Sequence, residues 1–218
     1  VAARMGGGDI NANPHLRTAV LAARSASMPG DNIERAIKKG TGELEGVTYE
    51  EVIYEAYGPG GAAIMIQVTT DNLNRTVAEI RNIFTKQGCN MAEAGAVSWQ
   101  FHKKGLLVVE KGKVDEDKLM ALVLDAGAED MKTDEKTYEI VTGTHEFEAV
   151  KKALADAKIA TALAEVTFIP ENSIKLDAKN AEQVLKLMDT LEDQDDVQKV
   201  HANFDIPEEI MEKVAAAG

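Results

Sequence analysis

The sequence predicts an α+β protein, with a small helical N-terminal domain followed by two α/β units, one inserted in the other. Three observations predict this. The first forty residues carry apolar side chains at helical spacing. Residues 104–170 read as strand, helix, strand, strand, helix, strand, the split order of a ferredoxin-like domain. A periodic helix and a strand are then left over at the chain's end and need a sheet. The sheet of residues 50–102 lacks a second helix, so the leftovers are assigned to it. The expected domains are therefore 1–47, a discontinuous 48–103 with 171–218, and an inserted 104–170.

The elements follow in order. Met5–Asp9 is a glycine-rich linker or helix terminus. Asn13 reads as an N-cap with Pro14 at the first helical position, and Leu16, Ala19, Val20 and Ala23 make residues 14–27 a helix. Met28-Pro29-Gly30 breaks it, as an interhelical turn or a projecting tip. Asp31 with Glu34 resembles a capping box opening a second short helix, which Gly40 ends. Gly40–Thr48 is a linker. Two helices this short bury little alone and call for a third.

Glu50–Tyr57 and Ala62–Thr70 are strands, and Gly58-Pro59-Gly60-Gly61 between them is a turn. Leu73, Val77, Ile80 and Phe84 then recur at helical spacing, with Asp71 as the expected cap. Ala96–His102 reads as a strand, with Trp99 and Phe101 on the face opposite Ser98 and Gln100. In the inserted unit, strands are expected at 106–110, 128–133, 137–142 and 163–169. Helices are expected at 115–126 and, capped by Thr144, up to about Ala157. Pro170 ends that unit. Ala178–Glu192 is a strongly periodic helix and Val197–Phe204 a strand.

The 218 residues hold 44% apolar and 28% charged residues, ordinary for a globular protein. No apolar run approaches the roughly 20 residues of a membrane span, and Val1–Met5 leads straight into glycines rather than a signal peptide. The single cysteine, Cys89, allows no internal disulfide and suits a reducing cytoplasm. Net charge is −13, which argues against a protein that coats DNA indiscriminately. The charge is uneven. Residues 1–47 carry six Lys/Arg against five Asp/Glu, whereas residues 48–218 carry 18 against 32. Nucleic-acid contact is therefore expected in the N-terminal part or at a local basic spot.

Arg4, Arg17, Arg24, Arg35, Lys38 and Lys39 are the candidate phosphate contacts, or else a solvated helix face. Lys38 and Lys39 also sit where a helix C-terminus favours cations. Asn72, Asn74 and Arg75 stand at a helix N-terminus, where free N–H groups attract anions; capping by Asp71 is the simpler account of all but Arg75. Gly58, Gly60 and Gly61 lack the lysine and the strand–loop–helix setting of a phosphate loop. Glu192, Asp193, Asp195 and Asp196 can hold a cation, but they lack EF-hand spacing and read better as a solvated turn. The four histidines are scattered without metal-ligand spacing, and Cys89 follows a helix C-terminus, where its pKa is not lowered. No catalytic set, metal or cofactor is expected.

Six stretches together resemble the YebC family of regulators. They are ARMGGGD from Ala3, NPHLR from Asn13, NIERAIKKGTGE from Asn32, YEAYGPGGAAIMI from Tyr54, TDNLNRTVAEIR from Thr70 and LEDQDDVQKVHANFDIP from Leu191. They run in order along nearly the whole chain. The mitochondrial relative of that family is the translational activator of cytochrome c oxidase subunit I. The resemblance implies three domains, one helical and two ferredoxin-like α/β, the third inserted in the second. It also implies a basic segment before Val1. It implies a non-enzymatic, cytoplasmic, nucleic-acid-binding regulator, a DNA-binding transcriptional regulator acting at promoters. The alternative is a translation factor that contacts ribosomal RNA on the ribosome and relieves stalling at proline-rich stretches. The resemblance strengthens the phosphate reading of the N-terminal cations.

Overall fold

The computed structural model describes residues 1–44, 48–112, 114–206 and 210. Part of the linker expected across 40–48, and Pro207 of the last family-like stretch, lie outside the described residues. Three helices open the chain: α1 (Ala2–Gly6), α2 (Pro14–Ser25) and α3 (Gly30–Gly40). Asn13 joins them. Its side chain accepts from Leu16 N at 3.1 Å and donates to Ala2 O and Gly7 O, both at 2.8 Å. One buried amide thus caps α2 and ties α1 to it. Ala3, Leu16, Val20 and Ile33 form the small core. α2 stops at Ser25, earlier than expected, because Ser27 turns left-handed (φ 60°) and Met28 N bonds back to Ala23 O. The expected capping box of Asp31 does not form. Pro29 occupies the cap position, the first helical bond runs from Ile33 N to Pro29 O, and Asp31 lies within the first turn.

The first sheet has the order β3-β1-β2-β9, from β1 (Glu50–Tyr57), β2 (Ala63–Thr70), β3 (Asn90–Met91) and β9 (Val197–Ala202). β1 and β2 pair from Glu50↔Thr70 to Tyr57↔Ala63, and β2 pairs on its other edge with β9 from Ile64↔Ala202 to Val68↔Val197. The hairpin turn needs its glycines. Gly60 has φ 70°, and a Cβ there would lie 2.6 Å from the Leu176 side chain. Alternation along β2 makes two cores. Ile64, Ile66 and Val68 face α4 (Leu73–Lys86) and α7 (Ala178–Glu192), where they meet Ile80, Phe84, Val184, Leu187 and Leu191. Ala63 and Met65 face the other way, against Val97, Phe101 and Phe168.

The second sheet has the order β5-β6-β4-β7, from β4 (Phe101–Glu110), β5 (Ala128–Thr133), β6 (Thr137–Thr142) and β7 (Leu163–Pro170). With α5 (Glu116–Asp125) and α6 (Phe147–Asp156) it encloses Leu107, Leu119, Val123, Ile140, Val150 and Leu154. This is the ferredoxin-like order. The first sheet has the same neighbour pattern, with β1, supplied from the front of the chain, in one central place.

Three expected elements differ. Of the expected strand Ala96–His102 only Phe101 and His102 lie in a strand, as the first residues of β4. Ser98–Gln100 is a short 3₁₀ turn and β4 starts at Phe101, because the Glu55 carboxylate draws the N–H groups of Gly95, Val97 and Ser98 towards itself. Thr144 does not cap α6, which starts at Phe147 with no side-chain cap. Its start is set by packing, since Phe147 lies against Gly105, where a Cβ would fall 2.5 Å from the ring and 2.2 Å from Thr142 Oγ1. The final strand divides. β9 ends at Ala202, and β10 (Phe204–Asp205) pairs instead with β8 (Ile174–Lys175). Between them Asn203 is buried, its Oδ1 accepting from Ala63 N at 2.7 Å.

Gly105 supplies a direct test of this packing. Gly105→Ala should lower the unfolding free energy by about 1–3 kcal/mol through overpacking, read from urea melts, whereas Gly30→Ala, where the added methyl meets no neighbour within 4 Å, should not.

Candidate nucleic-acid interface

The N-terminal cations divide into those that converge and those held by their own surroundings. Arg4 on α1 and Arg35 and Lys39 on α3 line one open groove of about 970 Å³. The spacing explains the convergence, as Arg35 and Lys39 are four apart and share a face of α3. Among the described residues no Asp or Glu lines the groove, whose other walls include Asn32, Met28 and Tyr49. Three like charges facing one concavity create a field that gathers anions.

The remaining candidates lie elsewhere. Lys38, beside Lys39, pairs with Glu34 at 2.6 Å, and that hydrogen bond with its attendant charge holds the lysine pKa up and the glutamate pKa down. Arg17 donates to the carbonyls of Ile10 and Asn11 and so pins the loop before α2. Arg24 is exposed on α2 and does not line the groove.

The second candidate cluster, at the start of α4, is a structural lock. Asn72, not Asp71, caps the helix, its Oδ1 accepting from Arg75 N at 3.1 Å. Arg75 reaches Asp196 at 2.7 Å and Asp71 at 3.0 Å. Asp196 also accepts from Thr70 Oγ1 at 3.0 Å and Thr76 Oγ1 at 2.5 Å. Burial raises the Asp196 pKa, but the hydrogen bonds from Thr76, Arg75 and Thr70 and the Arg75 charge outweigh it and leave the pKa below its ordinary value. Asp196 is therefore not part of a solvated turn, its side chain being only 13% exposed. Asn74 is exposed beside this lock. Asn72 and Arg75 hold the fold together here rather than presenting free groups to an anion.

Two residues stand out that the sequence reading did not single out. Tyr49, 48% exposed, lines the basic groove at the end of the linker. An aromatic beside a Gly, Thr and Glu linker was its only signal. Glu55 is buried in β1, and nothing local marks it, because its partners lie some forty residues on. Of the histidines, His201 is buried beside Phe168, and burial with the nearby Lys199 pushes its pKa down to about 4. Among the described residues, no group of three His, Cys, Asp or Glu side chains is placed to hold a metal ion. No helix among them is long and apolar enough to cross a membrane.

Residues 1–43 match the TACO1/YebC protein N-terminal domain, and residues 49–204 match the TACO1/YebC second and third domain. The chain belongs to the TACO1/YebC family. A probable transcriptional regulatory protein of Syntrophobacter fumaroxidans is 55% identical over 216 residues, 99% of this chain and 87% of the relative. One of Geobacter sulfurreducens is 58% identical over 214 residues, 98% of this chain and 86% of the relative. The crystal structure of a conserved hypothetical protein from Aquifex aeolicus aligns with a TM-score of 0.82 at 47% identity, covering 97% of this chain and 87% of that one. The three-domain α+β architecture is thus that of the TACO1/YebC family.

Proposed function

We propose that this protein is a non-enzymatic, cytoplasmic DNA-binding regulator of transcription that holds the nucleic-acid backbone in the groove of Arg4, Arg35 and Lys39. The observation that carries this reading is the convergence of three cations from two helices on one groove. The names of the relatives, probable transcriptional regulatory proteins, support it. Backbone contact supplies affinity without reading sequence, so the net charge of −13 confines binding to this patch.

The test is the double reversal Arg35→Glu with Lys39→Glu, read by fluorescence anisotropy of labelled DNA, double- and single-stranded, across a salt series. Each lost phosphate contact lowers the salt slope by about 1, so the slope should fall by about 2, with affinity down tenfold or more at low salt. Unchanged affinity for both forms of DNA, in a variant whose circular dichroism matches the parent, rejects the proposal. Crosslinking in cells followed by sequencing of the attached nucleic acid then separates promoter DNA from ribosomal RNA, the partner of a translation factor.

A further inference from the structure

The same groove carries more than phosphate chemistry. We infer that it takes an unpaired stretch of nucleic acid, with Arg4, Arg35 and Lys39 on the phosphates and a base stacked on Tyr49. This rests on the phosphate reading above and adds the form of the strand.

Shape is the first argument. The site is a concavity of about 970 Å³, within the size range of pockets that enclose small flexible ligands, about 300–1,000 Å³. A duplex is a stiff cylinder with its phosphates on a convex surface and its base edges at the floor of grooves. It can touch the rim of such a concavity but cannot fill it. One or two nucleotides of a flexible strand can.

Lining chemistry is the second argument. Sites for unpaired strands combine a basic groove that follows the backbone with aromatic faces on which bases stack, because every base has a π-face. Tyr49 supplies such a face, 48% exposed, and Met28, 45% exposed, adds an apolar surface to the same wall. Asn32 brings an amide that can donate and accept at once, suited to the mixed edge of a base. A site built for phosphate alone would need neither an exposed tyrosine nor an exposed methionine. The charges explain the backbone half of the ligand, and these side chains match the other half.

Unpaired DNA and RNA share this chemistry, so both are probed. Anisotropy is measured on the full chain with labelled oligo(dT), oligo(rU) and a DNA duplex of equal length, for the parent, Tyr49→Ala, Tyr49→Phe and the Arg35→Glu/Lys39→Glu pair. Stacking on one aromatic corresponds to roughly a 5- to 150-fold change in affinity. The single strands should bind more tightly than the duplex. Tyr49→Ala should weaken them by that factor and leave duplex binding unchanged, while Tyr49→Phe, which keeps the ring, should bind as the parent does. The better of the two oligomers identifies the strand. Duplex binding as tight as single-strand binding overturns the inference, and so does a Tyr49→Ala variant with parental affinity. If the charge reversal abolishes binding while Tyr49→Ala changes nothing, the phosphate groove stands and this inference falls. If neither variant matters, both fall.

Discussion

Glu55→Ala should destabilise the protein by about 2–4 kcal/mol, since a buried donor left without an acceptor, here Val97 N, costs about 1–3 kcal/mol and two part-buried donors lose their partner with it. In the native protein its carboxylate, on a residue 5% exposed, accepts from Gly95 N at 2.7 Å, Val97 N at 2.6 Å and Ser98 N at 2.8 Å. Against a total stability of about 5–15 kcal/mol for a domain, that is a large fraction. Urea unfolding read by Trp99 fluorescence is the measurement, because Trp99 rides on the turn that Glu55 holds and donates its indole N–H to Ala96 O. Glu55→Gln retains only one acceptor oxygen and should lose about half as much. Burial pushes the Glu55 pKa up, but the three backbone donors outweigh it and hold it below the ordinary value of 4.5. A depressed carboxylate contributes stability that is complete above its unfolded value and disappears as pH falls through the lower folded value. The protein should therefore weaken below pH 4.5, and Glu55→Gln should flatten that acid limb. A parental acid limb in Glu55→Gln would show that the carboxylate is not ionised in its nest.

Asp196→Ala should cost about 3 kcal/mol, by removing the acceptor that the buried Thr70 and Thr76 hydroxyls share and leaving Arg75 to pair with Asp71. Arg75→Ala should cost much less, because the guanidinium is 44% exposed and solvent screens its pairing. Asp196→Asn should fall between them. The ranking separates the two readings of this cluster. If Arg75 were poised for an external anion, its removal would change binding and not stability. With the lock as described, Asp196→Ala should also raise hydrogen exchange at Thr69, whose N–H bonds to Asp196 O at 2.9 Å. The Asp196 pKa is likewise lowered from 3.8, so this contribution too is present above that pH and lost in stronger acid.

Periodicity made the long helices readable. Ala178–Glu192 is helical over the whole span its apolar repeat indicates, and Asn13 with Pro14 marks the start of α2 as capping chemistry requires. The basic groove was legible only as a set of charges. Which of six cations converge depends on how α1 meets α3, and no local pattern encodes that. Two of the misreadings share one cause. Val97, Trp99 and Phe101 alternate as a strand would, yet the competing acceptor, Glu55, sits more than forty positions earlier. Arg75 looked unexplained because its partner, Asp196, lies 121 positions later. Local rules cannot see an acceptor brought in by the fold.

The seam between β2 and β9 has a kinetic consequence. During synthesis β2 emerges early, with one edge paired to β1 and the other bare until β9 follows, since Ile64 must wait for Ala202. A bare strand edge invites pairing with other chains. The second sheet lies wholly between those two partners, and its first and last strands meet at Phe101↔Pro170. Folding it first brings the two ends of residues 101–170 side by side. The long connection then behaves as a short one, and closing the β2–β9 seam loses less chain entropy. The unit that separates the two strands in sequence is thus the one that brings them within reach of each other.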